Sequence, residues 1–165
     1  MHSSSRLGAI ARSRVPITAL AALLSTAAFA QANSPEIGTW VLNAARSSYS
    51  PGSPPRSEVR TYEAAGPGIS LTVKLVDGGG HTTVAHVTYT ADGKVTGITG
   101  NPAYDQIVVQ RVGVNEFRST NLRNGKPVSE SVAVVSADHK TLTITQNIAM
   151  GNGIKIHNVE VFDKQ

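Results

Sequence analysis

Cysteine is absent from the sequence. Its absence excludes a disulfide framework, so packing alone must hold the folded chain together. It also excludes the bacterial lipoprotein route, in which lipid is attached to a cysteine. With 165 residues, the chain is long enough to bury a core of its own, and its length predicts one domain.

The chain also lacks a large net charge once its first 30 residues are left out of the count. The whole chain has 15 lysines and arginines against 11 aspartates and glutamates. Arg6, Arg12 and Arg14 lie in the first 30 residues, which leaves 12 basic and 11 acidic residues and a net charge of +1. No cluster of basic residues remains, so we expect no nucleic-acid partner.

Signatures of well-known chemistry are missing too. The sequence lacks a nucleophile elbow, a Walker motif and a dinucleotide-binding fingerprint. His81, His86 and His139 have no ligand spacing with any carboxylate, so we expect neither a metal site nor a cofactor. A haem barrel of the nitrobindin type, with His157 on the iron, is disfavoured because the glycine-rich start of that family is missing after Trp40.

The first 30 residues have the pattern of a signal peptide. A basic start precedes an apolar run over 15–24, which is too short to span a membrane stably. Ala28-Phe29-Ala30 then gives the small-x-small pattern of a cleavage site. We expect cleavage after Ala30, a short arm over 31–37, no membrane span in the mature chain, and a periplasmic or secreted location. An uncleaved membrane anchor is the alternative.

The rest of the chain consists of short runs rich in valine, isoleucine and threonine. Gly38, Trp40 and Leu42 share one face of the first run, which places Trp40, the only tryptophan, in the core. A helical turn within 44–48 and an extended proline loop over 51–55 follow. Further strands are predicted at 57–64, 69–77, 81–90, 94–98, 105–112, 114–123, 126–136, 140–149 and 153–163.

No stretch after residue 50 keeps a helical apolar period, and the separators between the runs are rich in glycine, proline, asparagine and aspartate. We therefore expect an all-β domain over 38–165. Its strands would form a single antiparallel meander that closes into a lipocalin-like, calycin-type β-barrel of about 8–10 strands, because closure removes exposed sheet edges.

Five motifs are spread along this domain: Gly38-Thr39-Trp40-x-Leu42-Asn43, Ser50-Pro51-Gly52-x-Pro54-Pro55, Arg60-Thr61-Tyr62-Glu63, Thr99-Gly100-Asn101-Pro102 and Ser136-Ala137-Asp138-x-Lys140-Thr141-Leu142-Thr143. With them the chain resembles exported bacterial proteins that have a lipocalin-like barrel, a group largely without assigned activity. The resemblance implies the fold and the exported address but no catalytic residues. One departure is His139, which stands where the group usually has glycine; histidine tolerates the left-handed conformation that such a position would need.

The turns allow a prediction of which residues face the barrel interior. Asn124-Gly125 is the strongest hairpin signal and pairs Arg123 with Lys126. A three-residue loop at 137–139 and a Gly151-Asn152 turn extend this register over two more hairpins. The result is a row of four polar residues inside the barrel: Ser119, Glu130, Gln146 and His157.

Two alternatives remain for this row. Glu130 and Gln146 could be solvated at a wet barrel mouth, or a bulge after Ile156 could turn His157 outward. The glycine loop before residue 81 leaves a similar choice. A three-residue loop turns Ala85, Val87 and Tyr89 inward, and a two-residue loop turns the opposite face inward; we prefer the first, which keeps the larger residues inside.

Three functions of different classes fit this sequence. We favour a binding module that holds a small, mostly apolar molecule in the lumen, in contact with Ser119, Glu130, Gln146, His157 and Tyr89. The second is a cofactor-free enzyme, such as an isomerase, cyclase or hydratase, in which Glu130 or His157 exchanges a proton. The third is a structural or envelope-stress protein whose barrel is filled by side chains. A cavity of several hundred Å³ would favour the first two. The oligomeric state is left open.

Overall fold

The computed structural model describes residues 34–149 and 153–165. The expected signal peptide over 1–30 and its cleavage site after Ala30 lie outside the described residues. Within the described part, no helix is long and apolar enough to cross a membrane. Eleven strands follow one another: β1 (Gly38–Leu42), β2 (Ser48–Ser50), β3 (Ser57–Ala65), β4 (Gly68–Val76), β5 (Thr82–Tyr89), β6 (Asp92–Gly97), β7 (Gln106–Arg111), β8 (Glu116–Arg123), β9 (Lys126–Val135), β10 (Thr141–Ala149) and β11 (Lys155–Lys164).

The strands form one antiparallel sheet in the order β5-β4-β3-β1-β11-β10-β9-β8-β7-β6. The last strand pairs with the first, with Trp40 opposite Lys164, so the meander returns to its starting point. A 3-10 turn at Ala44–Arg46 separates β1 from β2, and β2 continues the pairing along β11. The predicted all-β barrel and its helical turn are therefore confirmed.

The barrel is least well closed between β5 and β6. In the described part of the chain, one bridge joins β5 to the residues just after β6. It links His86 and Thr99, and each donates its backbone N–H to the other's carbonyl at 3.0 Å. Gly100 follows at once with φ +75°, and a Cβ on it would lie 2.0 Å from the carbonyl oxygen of Val84. The close approach requires glycine at this position.

Large apolar side chains fill one part of the barrel interior. Five of them are less than 2% exposed: Trp40, Phe162, Ile69, Leu142 and Val135. The indole Nε1 of Trp40 donates to the backbone oxygen of Glu36 at 2.8 Å, and the ammonium of Lys164 lies 4.9 Å from the ring centre. The predicted burial of Trp40 is confirmed.

The Asn124-Gly125 turn forms as predicted, with φ values of 51° and 74°, and pairs Arg123 with Lys126. The register then shifts by one residue, because Pro127 pairs with Leu122 but Ser129 pairs with Asn121. Val128 is therefore the extra residue of a β-bulge, and proline has no N–H with which to continue a regular ladder.

The bulge reverses the faces of β9. Ser119 lies opposite Ser131, and Glu130 lies opposite Thr120. Ser129 is buried and Glu130 is exposed. The prediction that Glu130 points into the barrel is wrong, because a shift of one residue moves every side chain of a strand to the other face.

A four-residue loop joins β9 to β10, since Val135 pairs with Leu142. The backbone N–H of Ser136 donates to the carbonyl of Thr141, and the carbonyl of Ser136 accepts the N–H of His139. The predicted three-residue loop is one residue too short. His139 has φ +57°, so the left-handed conformation expected at this position is confirmed. This second shift compensates the first, and the predicted inward face of β10 is correct.

The predicted Gly151-Asn152 turn between β10 and β11 lies outside the described residues. The strands on either side are described, and they pair Gln146 with Asn158 and Asn147 with His157. His157 is exposed, and Asn158 is buried. The predicted inward position of His157 is therefore wrong. The bulge after Ile156 that could have turned it outward is not present either, because the pairing runs without a shift from Lys155 to Asp163.

The glycine loop between β4 and β5 has the predicted length. The backbone N–H of Asp77 donates to the carbonyl of His81 at 3.0 Å, which leaves three glycines at the tip. Ala85, Val87 and Tyr89 are all buried. The preferred inward face of β5 is confirmed.

Candidate functional site

A cavity of about 80 Å³ lies inside the barrel. One part of its wall is aliphatic, and the other part carries charged and polar groups. Its lining includes Glu36, Arg60, Tyr89, Ser119, Asn121, Ser131 and Gln146 beside Val87, Val109 and Ile144. Since about 10–15 Å³ on this scale accommodates one water, there is room for on the order of five waters or a molecule of a few heavy atoms.

Arg60 is the charged residue at the centre of the polar wall. Strand alternation places Glu58, Arg60 and Tyr62 on the inner face of β3. The Nε of Arg60 donates to Glu58 Oε1 at 2.7 Å, and its Nη2 lies 3.9 Å from Glu160 Oε2. The guanidinium also lies 5.2 Å from the ring centre of Phe162. Arg60 is thus held between two carboxylates and an aromatic ring.

The two carboxylates are themselves buried, with Glu58 2% and Glu160 7% exposed. Burial raises the pKa of Glu160 to about 7, the negative charge of Glu58 adds to the rise, and Arg60 opposes it. The same surroundings act on Tyr49, whose pKa is raised by burial and then by Glu160 and Glu58. This buried group therefore contains two carboxyl groups and only one positive charge, that of Arg60.

Glu36 brings a third carboxyl group into the barrel from the arm before β1. It is 4% exposed, and its Oε1 accepts a hydrogen bond from the hydroxyl of Tyr89 at 3.0 Å. Burial raises the pKa of Glu36 to about 7, although the bond from Tyr89 and the charge of Arg111 lower it. The arm is packed against the barrel here, since Ser34 is 6% exposed and its carbonyl accepts the N–H of Ile37 at 3.0 Å.

The polar wall also contains hydroxyl and amide groups from β8 and β9. The hydroxyls of Ser119 and Ser131 lie 2.7 Å apart, and Asn121 Nδ2 donates to Ser129 Oγ at 2.9 Å. Three buried polar atoms have no hydrogen-bond partner among the described residues: Asn121 Oδ1, Asn158 Oδ1 and Tyr49 Oη. Unpaired buried polar groups of this kind are uncommon in folded proteins, and ordered water or a bound molecule would satisfy them.

The structure brings together three of the five residues predicted to contact a ligand. Ser119, Gln146 and Tyr89 line the cavity, and their role in binding stays a prediction. Glu130 and His157 lie on the outer surface, where His157 Nδ1 is 2.9 Å from Asn147 Oδ1. The predicted polar row is therefore not formed, and the enzyme alternative loses the two lumen groups on which it was based.

Sequence reasoning missed the charged residues of the interior, namely Glu36, Glu58, Arg60 and Glu160. A signal for two of them exists, because Glu58 and Arg60 alternate with the core residue Tyr62 on one face of a strand. Glu160 could have been found in the same way from Phe162. Glu36 precedes the first strand, so no periodicity marks it.

The arrangement can bind a polar group and can exchange a proton. A carboxyl group with a pKa of about 7, such as that of Glu36, is suited to general acid or base chemistry near neutral pH. Within residues 34–149 and 153–165, no group of three or more histidine, cysteine, aspartate or glutamate side chains could hold a metal ion.

No protein-family model matches this chain, and no curated protein does. Among solved structures, the chain is similar to zebrafish ileal bile acid-binding protein in complex with cholic acid. The TM-score is 0.53 and the identity 15%, over 80% of this chain and 100% of the zebrafish chain. A likeness at this identity shows the fold, which is that of a calycin-type antiparallel β-barrel.

Proposed function

We propose that this chain is a binding protein that holds a small molecule in the cavity beside Arg60. The observation that carries the proposal is an internal cavity lined by Asn121, a buried residue whose Oδ1 has no hydrogen-bond partner among the described residues. The aliphatic part of the wall, which includes Val87 and Val109, would contact the apolar part of the ligand. The polar wall would fix its orientation.

The size of the cavity limits the ligand to a molecule of a few heavy atoms. Pockets for drug-sized ligands have volumes of about 300–1,000 Å³, whereas this one has about 80 Å³. The zebrafish neighbour is complexed with cholic acid, a sterol that is far larger than this cavity. The neighbour supports the use of such a barrel for binding, and the cavity volume points to a different class of ligand.

A pair of variants tests the proposal. Ala133 lines the cavity, so Ala133→Phe would fill it, while Val132→Phe places the same aromatic side chain on the opposite face of β9. In a screen of small fragments by protein NMR, we expect some fragments to shift the side-chain amide signals of Asn121 and Gln146. Ala133→Phe should abolish these shifts, and Val132→Phe should keep them. Fragments that bind equally well to Ala133→Phe would overturn the proposal.

A structural barrel filled by its own side chains is the second candidate, and the small volume of about 80 Å³ favours it. In that case, no fragment would shift the signals of Asn121 or Gln146 at any accessible concentration. Ala133→Phe would then only lower stability, by about 1–3 kcal/mol, because the added ring overpacks an interior that is already filled. The same screen therefore distinguishes the two functions.

We further propose that the protein is exported and acts in the periplasm or outside the cell. The signal-peptide pattern over 1–30 and the resemblance to exported bacterial lipocalin-like proteins support this address. The intact mass of exported material should correspond to a start at Gln31. Retention of residues 1–30 in the membrane fraction would contradict the proposal.

A further inference from the structure

The interior of the barrel has more acidic than basic groups. Three carboxyl groups are buried, those of Glu36, Glu58 and Glu160, and each residue is at most 7% exposed. Among the described residues that line the cavity, Arg60 is the only basic one. Its guanidinium is already engaged by Glu58 at 2.7 Å and by Glu160 at 3.9 Å. An incoming anion would therefore meet a neutralised arginine and the additional carboxyl group of Glu36.

The unpartnered atoms of the interior give an independent indication. Asn121 is 5% exposed and lines the cavity; its Nδ2 is used by Ser129, and its Oδ1 has no donor. Asn158 is 8% exposed, lies opposite Gln146 in the neighbouring strand, and likewise has an Oδ1 without a donor. Both atoms are hydrogen-bond acceptors. Of the two, Asn121 lines the cavity, and a ligand that supplies a hydrogen-bond donor there would satisfy its Oδ1.

We propose that the cavity selects a small ligand that donates hydrogen bonds from nitrogen and carries no negative charge, and that it rejects carboxylates. The inference rests on the proposed binding function and names its ligand class. Amines, amidines and primary amides of a few heavy atoms have this chemistry. Their N–H groups would face Glu36 and Asn121, and their carbon atoms would contact the aliphatic wall.

Glu36 is the group that distinguishes a cation from an anion in this cavity. The groups that face it are Tyr89, which donates to it at 3.0 Å, Arg111 and Tyr62. Arg111 is exposed and is engaged by the backbone oxygens of the loop after β7. Among residues 34–149 and 153–165, Glu36 therefore has no buried ion-pair partner, and a bound cation would provide one.

Three probes of equal size test the selection: acetamidinium, acetamide and acetate. Each has four heavy atoms and the same shape, so they differ in charge and in the number of donors. Titrated into the labelled protein at pH 8 and followed by the side-chain amide signals of Asn121 and Gln146, acetamidinium and acetamide should bind at least about tenfold more tightly than acetate. Binding of acetate with equal or higher affinity would overturn this inference and leave the binding function intact. No shift with any of the three probes would overturn this inference, while the fragment screen decides the binding function separately.

Glu36→Gln gives a second test, because glutamine keeps the shape of the side chain and removes its charge. The variant should lose most of the preference for acetamidinium over acetate and keep its affinity for acetamide. Glu63→Gln, an exposed change on β3, is the matched control and should behave like the unaltered protein. An unchanged preference in Glu36→Gln would overturn the assigned role of Glu36. Should Glu36→Gln fail to fold, the three probes on the unaltered protein still decide the inference.

Discussion

The hydroxyl of Tyr89 on β5 donates a 3.0 Å hydrogen bond to Glu36 in the arm before β1. Because both groups are buried, this bond joins the arm to the far wall of the barrel from the inside. The backbone oxygen of Glu36 also accepts the indole N–H of Trp40 at 2.8 Å. The arm is therefore part of the core, and the ionisation of one carboxyl group bears on how firmly it is packed.

The first prediction concerns the pH dependence of stability. Burial raises the pKa of Glu36 from 4.5 to about 7, so the folded state binds a proton more tightly than the unfolded state does. The free energy of unfolding should then be highest below about pH 4.5 and fall as the pH rises through 7. The loss from Glu36 alone is on the order of 3 kcal/mol. Denaturant melts between pH 4.5 and pH 8 measure it.

The charge of Glu36 can be removed without changing its shape. Glu36→Gln should lose roughly half of the fall with pH, and the other half should remain because burial also raises the pKa of Glu160 to about 7. Glu130→Gln, on the exposed outer face, is the control and should follow the unaltered protein. An unfolding free energy that rises between pH 5 and pH 8 would show that Glu36 is not buried in solution.

The second prediction concerns the buried ion pair. Arg60→Met should destabilise the protein by about 3–5 kcal/mol, because it leaves Glu58 and Glu160 buried without a positive charge. Replacing all three residues by apolar ones of similar size should restore most of that loss, since no charge then remains to be desolvated. Chemical denaturation of the single and triple variants decides the matter. A triple variant less stable than Arg60→Met would contradict this account.

The third prediction concerns the core. Trp40 is 0% exposed and contacts residues of several strands. Trp40→Ala should lower the free energy of unfolding by about 3–5 kcal/mol, because it removes a large apolar side chain and leaves a cavity. Val114→Ala, at a side chain that is 80% exposed, is the control and should change stability by less than about 0.5 kcal/mol. If Trp40→Ala lowers the free energy of unfolding by less than about 1 kcal/mol, the residue is not part of the core.

The fourth prediction concerns the weakly closed edge between β5 and β6. Gly100→Ala would place a Cβ 2.0 Å from the carbonyl oxygen of Val84 at a positive φ. We expect a loss of about 1–3 kcal/mol and faster hydrogen exchange at the amides of His86 and Thr99, whose mutual bonds form the bridge. Gly97→Ala is the matched control, because nothing lies within 4 Å of its added methyl group. Equal exchange rates in the two variants would show that the close approach at Gly100 is absent in solution.

The architecture could be predicted from the sequence because it depends on local signals. Alternating apolar residues and strong turn sequences give the strands and their antiparallel order, and the alternation around Trp40 gives its burial. The Asn124-Gly125 turn was predicted with its correct pairing. These features need only a few neighbouring residues to be specified.

The lining of the cavity depends on register, where each error of one residue reverses a face. The bulge at Val128 reversed β9, and the following loop, one residue longer than predicted, returned β10 to its predicted face. A third shift reversed β11, which exchanged His157 for Asn158 in the interior. Pro127 indicates the first shift in the sequence itself, because proline within a paired strand is found mainly at bulges. The ion pair around Arg60 joins strands that are distant in sequence, so no local pattern could specify it.

The two ends of the folded chain lie on neighbouring strands. Trp40 is opposite Lys164, and the backbone N–H of Gln165 donates to the carbonyl of Thr39 at 3.0 Å. Hydrogen bonds between antiparallel strands run perpendicular to the strands. A force that pulled the two ends apart would therefore load the bonds between β1 and β11 one at a time, as a zipper opens. However stable its core is against denaturant, the barrel should be mechanically weak when stretched from its ends.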